Sequence, residues 1–228
     1  MKTLFTFFLL SLFIQQDNDT KIALAKLENT SLPFECTRDV YRAVNHRRQL
    51  VAASKSTMDS IDFYYYRDVA LSIKEKLTRK EVFMLRKFEQ SNFTLLAVTA
   101  NFMLEGRTQW LITYDKQYQI VDTLVCGIHF LDGPDRLTLR QWRINEKREV
   151  QVSFVKLDHT DSQINDPLKW IYFEKPIEGQ RTDTFYQLTD DGYFKKLREV
   201  KYKPQLYSSQ YLSTENLWSG TEIPMDTP

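Results

Sequence analysis

The spacing of apolar residues changes character twice along this chain. Thr3 to Ile14 is an uninterrupted run without charge, entered through Lys2 and closed by Gln15, Gln16 and Asp17. From Asp39 to Thr57, the residues Val40, Ala43, Val44 and Val51 fall at helical spacing, with His46, Arg47 and Arg48 on the opposite side. Val69, Ile73 and Leu77 repeat at i, i+4 and i+8, which predicts a second helix after the Phe63-Tyr64-Tyr65-Tyr66 cluster. From Lys80 the period becomes alternating. Val82 to Phe88, Thr94 to Leu104 and Gln109 to Tyr114 have strand length, and Val150, Val152 and Phe154 alternate with Gln151 and Ser153. Between Leu137 and Ile144 the alternation slips by one at Arg140-Gln141, which predicts a β-bulge there.

Turn chemistry separates these strands. Asp191-Gly192 lies between β-prone runs and predicts a tight hairpin. A second hairpin is expected from Trp110 to Leu124, turning at Asp115-Lys116-Gln117-Tyr118, and Asn145-Glu146-Lys147 turns the chain once more. Pro134, Pro167 and Pro176 fall between strand segments, where a missing N–H costs least. Local turns between short strands favour antiparallel pairing. The expectation is an α+β fold: a mainly antiparallel β-sheet of roughly six to nine strands with a partly helical N-terminal region. Lys21 to Cys36 reads as an irregular, partly extended lead-in. After Lys203 no sustained period remains, so 17–203 reads as one domain and 204–228 as a loosely ordered tail with Trp218 docking back.

The amino-terminal run says where such a domain goes. Twelve helical residues span roughly 18 Å, short of the ~30 Å hydrocarbon core of a bilayer. A basic start, an apolar middle and a polar exit are the plan of a secretory signal peptide over residues 1–16. The stretch Phe13-Ile14-Gln15-Gln16 lacks the small residues of a cleavage site, so an uncleaved amino-terminal anchor is the alternative. That anchor is the one route to a membrane that the sequence offers.

Composition narrows the partners. The chain has 31 Lys and Arg against 30 Asp and Glu. Removing Lys2 with the signal leaves the remainder formally neutral, which argues against bulk attraction to nucleic acid. Two cysteines, Cys36 and Cys126, allow one disulfide closing a loop of about ninety residues in an oxidising compartment. The setting Leu124-Val125-Cys126-Gly127-Ile128 equally suits a small buried thiol in a strand.

The hairpin Leu111-Ile112-Thr113-Tyr114-Asp115-Lys116 with Ile120-Val121-Asp122-Thr123-Leu124 resembles a strand pair recurring in exported β-rich proteins of unknown function from Bacteroides-type bacteria. Thr189-Asp190-Asp191-Gly192-Tyr193-Phe194-Lys195-Lys196-Leu197 is similar to their endings. The resemblance covers residues 93–201 and departs at Tyr118, which stands where a turn glycine is usual. It implies an exported β-rich protein and carries over no catalytic residue. It also points away from a eukaryotic source, where Asn18, Asn29 and Asn92 would be glycosylation acceptors.

Catalytic patterns are sparse. No G-x-S-x-G, G-x-G-x-x-G or G-x-x-x-x-G-K-S/T occurs. Cys126 and His129, three apart, face opposite sides of a strand. The oxygen-rich stretch Asp158 to Asp166 fails the calcium-loop pattern, because Lys169 stands where a bidentate Glu belongs. No catalytic, cofactor or metal residue is therefore assigned. The aromatic cluster Tyr64, Tyr65 and Tyr66, with Trp142 between Arg140 and Arg143, is the candidate binding surface for a protein or glycan partner. The sequence reading is an exported non-enzymatic binding or accessory protein of the periplasm or cell surface. Its alternatives are an envelope hydrolase using carboxylates and an inhibitor or immunity-type protein that binds one partner.

Overall fold

The computed structural model describes residues 19–36, 51–52, 57, 82–102, 106–131, 136–158, 175–213, 217–219 and 224–225. Two short strands come first, β1 (Phe34–Glu35) and β2 (Val51–Ala52). Eight longer ones follow: β3 (Val82–Glu89), β4 (Thr94–Phe102), β5 (Gly106–Tyr114), β6 (Ile120–Leu131), β7 (Arg136–Ile144), β8 (Glu149–Asp158), β9 (Ile177–Leu188) and β10 (Phe194–Lys201). β11 (Gln205–Tyr207) is the last. Each strand from β3 to β10 pairs antiparallel with the next, so the main path is a meander. The mainly antiparallel sheet is as expected. Among the described residues, helix is limited to 19–25, Thr57, Ser209–Ser213 and the 3-10 turn Leu217–Ser219.

The meander folds into two layers because β6 changes partner along its length. It pairs with β5 over its first ten residues, Ile120 to His129, and with β7 only from Ile128 to Leu131. Leu85, Phe88, Leu95, Ala97, Leu111 and Cys126 from one layer meet Trp142, Ile144, Val150, Val152 and Leu188 from the other. The outer face of β3–β5 is buried too. Val82, Met84, Leu96, Val98, Trp110 and Ile112 lie there with Ala23 and Leu24 of helix 19–25. Both faces of Leu95-Leu96-Ala97-Val98 are thus dry, which is why that strand reads as a continuous apolar run. Burying each of its Leu and Val side chains stabilises by about 1.5–3 kcal/mol.

The freed end of β7 takes β1 as its neighbour, with Phe34 opposite Ile144 and Glu35 opposite Arg143. Just upstream, Thr30 N–H donates to Lys87 O at 2.7 Å, and Glu89 N–H to Asn29 Oδ1 at 2.8 Å. Residues 29–36 therefore run from the edge of β3 to the edge of β7. Phe34 fills the gap between them, edge-on to Phe88 at 5.3 Å and tilted on Trp142 at 5.4 Å.

Three hairpins, β5–β6, β7–β8 and β9–β10, use one turn design. Asp115, Asn145 and Thr189 open the turns; their side-chain oxygens accept the N–H of Gln119, Glu149 and Tyr193 at 2.8–2.9 Å. The fourth residue is left-handed each time: Tyr118 and Arg148 at φ 62°, Gly192 at φ 91°. A type I turn followed by a left-handed residue matches the twist of the flanking strands. Tyr118 thus takes the backbone role of the glycine it stands in for.

Several expectations are corrected. The slip at Arg140-Gln141 is not a bulge, because β7 pairs with β8 in unbroken register. Trp142 and Ile144 point into the interlayer core, while Leu139 and Gln141 are buried on the other face. Burial of both faces, not an extra residue, breaks the alternation. The bulges lie elsewhere, at Leu85, Val121, Cys126 and Leu197. Residues 19–25 are helical within what reads as an irregular lead-in. Val51–Ala52, placed in the expected helix 39–57, pair with Met84 and Phe83 of β3; the rest of that helix except Thr57, and the one at 69–77, lie outside the described residues.

The carboxy-terminal stretch is also more built than its aperiodic sequence implies. β11 pairs with β9, and Tyr207, Leu212 and Leu217 cover Leu139, Val155, Leu157 and Ile177. The pairing is between distant segments, so it leaves no local period.

An alanine at Gly192 has room, since the nearest atoms would lie 3.5 Å away. Its cost reports the left-handed backbone alone. Gly192→Ala is expected to lose about 1–2 kcal/mol of stability in urea titration. An unchanged midpoint would show that the turn does not need its glycine.

Candidate functional site

Arg181 and Asp183 stand two apart on β9 and therefore share a face. They are 5% and 0% exposed. Arg181 Nε donates to Asp183 Oδ1 at 2.8 Å and Nη2 to Oδ2 at 3.0 Å, a bidentate pair. Gln151 Nε2 and Tyr202 Oη also donate to Oδ2, at 2.8 and 2.9 Å. Neighbouring strands supply these groups because the register sets Ser153 opposite Asp183 and Gln151 opposite Phe185. Ser153 Oγ accepts from Arg181 Nη2 at 3.2 Å.

This cluster grips the carboxy-terminal segment by its backbone. Arg181 Nη1 donates to Leu217 O, Tyr211 Oη donates to the same oxygen, and Leu217 N–H donates to Gln141 Oε1 at 2.8 Å. Trp218 lies against the Arg143 guanidinium at 4.7 Å from the ring centre. Arg143 in turn donates to Gln151 and pairs with Glu35 of β1. One chain of polar contacts thus joins both terminal segments across β7, β8 and β9. With its charge paired and its oxygens accepting four hydrogen bonds, Asp183 holds Arg181, which clamps the Leu217 backbone.

A second buried polar centre lies between the layers. Gln109 Oε1 accepts from Trp142 Nε1 at 3.1 Å and from Cys36 Sγ at 3.5 Å. A Cβ on Gly127 would stand 2.5 Å from that oxygen, so glycine makes the space Gln109 needs. Cys126 is the extra residue of the adjoining bulge, since Gln109 pairs with Gly127 and Trp110 with Val125. Burial pushes the Cys126 thiol well up, and the neighbouring Cys36 adds to the effect. A thiol so held is a poor nucleophile.

Of the residues singled out by sequence, Cys36 and Cys126 come together in one buried cluster, both as thiols. Trp142 is a correction: it is wholly buried and offers no binding surface, because its indole is spent on Gln109 and Phe34. Tyr64, Tyr65 and Tyr66 lie outside the described residues, as do His46 and His159. Among the described residues, no group of three or more His, Cys, Asp or Glu is placed to hold a metal ion. Sequence reading missed Gln109, Gly127, Arg181 and Asp183. The Arg-x-Asp spacing inside a strand was the available signal for the last two.

Breaking the pair leaves a buried charge alone. Asp183→Ala is expected to cost about 3–5 kcal/mol, and replacing Arg181 and Asp183 together by apolar residues much less. A chemical-denaturation cycle of Asp183→Ala, Arg181→Ala and the double variant checks this; a double-variant loss equal to the sum of the two single losses would show that the pair is not coupled.

Alkali should act through two other buried groups. Burial holds the Tyr114 hydroxyl well above its usual 10.0, against the opposing effect of its 2.7 Å hydrogen bond with Thr57. Cys126 is likewise held above its usual 9.0. The unfolded chain then loses these protons while the folded chain keeps them, so stability falls as pH rises above about 9. Tyr114→Phe and Cys126→Ala should each flatten the slope of unfolding free energy between pH 9 and 11. An unaltered slope in both would count against this origin.

No protein-family model, curated protein or solved structure matches the chain.

Proposed function

We infer that the chain is an exported, non-enzymatic binding or accessory protein of the cell envelope, acting on a protein or glycan partner. The observation that carries this reading is the use made of the buried Arg181–Asp183 pair. The chain's own Leu217 backbone occupies the groups that a small-molecule site would present. The basic start, apolar run and polar exit of residues 1–16 support export.

The turns at one end of the strand stack brace one another, which supports recognition at the opposite end. At one end the turns are braced together: Asn92 Nδ2 donates to Asp190 O, Lys116 Nζ to Gln90 O, and Arg148 pairs with Asp190. At the other end run the connections from β4 to β5, β6 to β7 and β8 to β9, the last being the longest of the three. Connections held on a rigid sheet are where binding residues concentrate. The oxygen-rich stretch that begins at Asp158, the last residue of β8, continues through the β8–β9 connection to Asp166, with Trp170 beyond it, chemistry suited to a polar partner.

Fractionation of the source cells, with intact-mass measurement and an assay of the envelope protein on glycoside, ester and peptide substrates, tests this reading. The expected result is a chain lacking residues 1–16 that turns over none of them. A full-length cytoplasmic chain would overturn export. Turnover abolished by one carboxylate substitution would establish the hydrolase instead.

A further inference from the structure

Cys36 and Cys126 are ninety positions apart in sequence, yet both enter the one core cluster between the layers. Each is placed by a specific backbone device. Cys36 follows β1, where its N–H donates to Trp142 O at 3.0 Å. Cys126 is the inserted residue of the β5–β6 bulge. Gln109 links the two positions: its Oε1 accepts from the Cys36 thiol, and the same oxygen lies over Gly127, the neighbour of Cys126.

We propose that Cys36 and Cys126 are a convertible pair, which a small-molecule disulfide such as oxidised glutathione turns into a disulfide stapling β1 to β6. Access comes through β1, a two-residue strand whose side-chain ion pair, Glu35 with Arg143, is exposed. Detachment of so short a segment is a local opening. It uncovers Cys36 first, because that residue moves with the segment.

The exchange balances in two steps. The Cys36 thiol gives up its proton to solvent, and its sulfur attacks one sulfur of the oxidant. A mixed disulfide forms and one thiol leaves. Cys126 then loses its proton and attacks the Cys36 sulfur; the Cys36–Cys126 bond forms, the mixed disulfide breaks and a second thiol leaves. Two electrons pass from the protein thiols to the oxidant. The Cys126 proton is held firmly while the core is closed, so the second step belongs to the opened state.

The consequence is mechanical. Residues 29–36 bridge the edges of β3 and β7 by non-covalent contacts: backbone hydrogen bonds, the Asn29 side chain and the Glu35–Arg143 ion pair. A covalent link at Cys36 would fix that bridge to the interior.

The test uses the full chain purified reduced from a cytoplasmic preparation, so its outcome is independent of whether the protein is exported. The folded protein is held with oxidised glutathione, then unfolded, alkylated and weighed intact, with and without prior reduction. The expected result is no alkyl group before reduction, two after, and a melting temperature on the order of 10 °C higher in the oxidised form. Cys126→Ser should stop at the mixed disulfide on Cys36, which confirms the order of attack. Two alkylated thiols in the oxidant-treated wild type, or a glutathione adduct persisting on its Cys36 as in Cys126→Ser, would overturn the proposal.

Discussion

The interior of this protein turns on one oxygen atom. Gln109 Oε1 accepts hydrogen bonds from Trp142 of β7 and Cys36 of the β1 segment, while the rest of its side chain belongs to β5. A polar atom buried between layers must find partners or cost its full desolvation. The acceptor and its two donors come from three separate parts of the chain, so the hydrogen bonds fix how the layers lie over each other. The apolar side chains around them would tolerate many offsets. Gly127 is the price of the arrangement, since any larger residue would fill the space that Gln109 occupies.

From that contact the remaining architecture follows. Trp142 is drawn inward, so β7 must present Gln141 and Arg143 outward. Outward polar residues on a covered face need partners in turn. They find them in Leu217, Gln151, Glu35 and Trp218, which bring down the carboxy-terminal segment and hold the amino-terminal one. The two polar centres lie on opposite faces of the same layer and are coupled through adjacent residues of β7.

How much of this could be read from sequence depended on whether the signal was local. Strand existence from Val82 to Lys201, and the turns at Asp115, Asn145 and Thr189, rest on neighbouring residues and were legible. The left-handed backbone of Tyr118 and Arg148 was not, because no glycine marks it. Trp142 between two arginines reads as a surface until the register of β7 against β8 is known, for a strand buried on both faces carries no alternation. Val51–Ala52 shows the opposite failure: Val51, spaced as on a helix, pairs instead with β3. The carboxy-terminal cover and the Arg181–Asp183 clamp are made by residues far apart in sequence, and only the i, i+2 spacing of the pair hinted at them.

The strand β10 has a bearing on how copies of this molecule coexist. A terminal strand with open hydrogen-bonding groups is a template on which another sheet can grow. Here both ends of that edge are already taken: Phe194 N–H donates to Asp122 Oδ2 at 2.9 Å, and Lys201 O accepts from Met225 N–H at 2.8 Å. Between them the inserted Leu197 breaks the pleat, and Lys195, Lys196, Arg198 and Glu199 fill the exposed run with charge. An incoming strand would meet an irregular backbone and four ionised side chains, at a cost in desolvation and repulsion. Among the described residues, that edge is thereby guarded against strand-on-strand stacking.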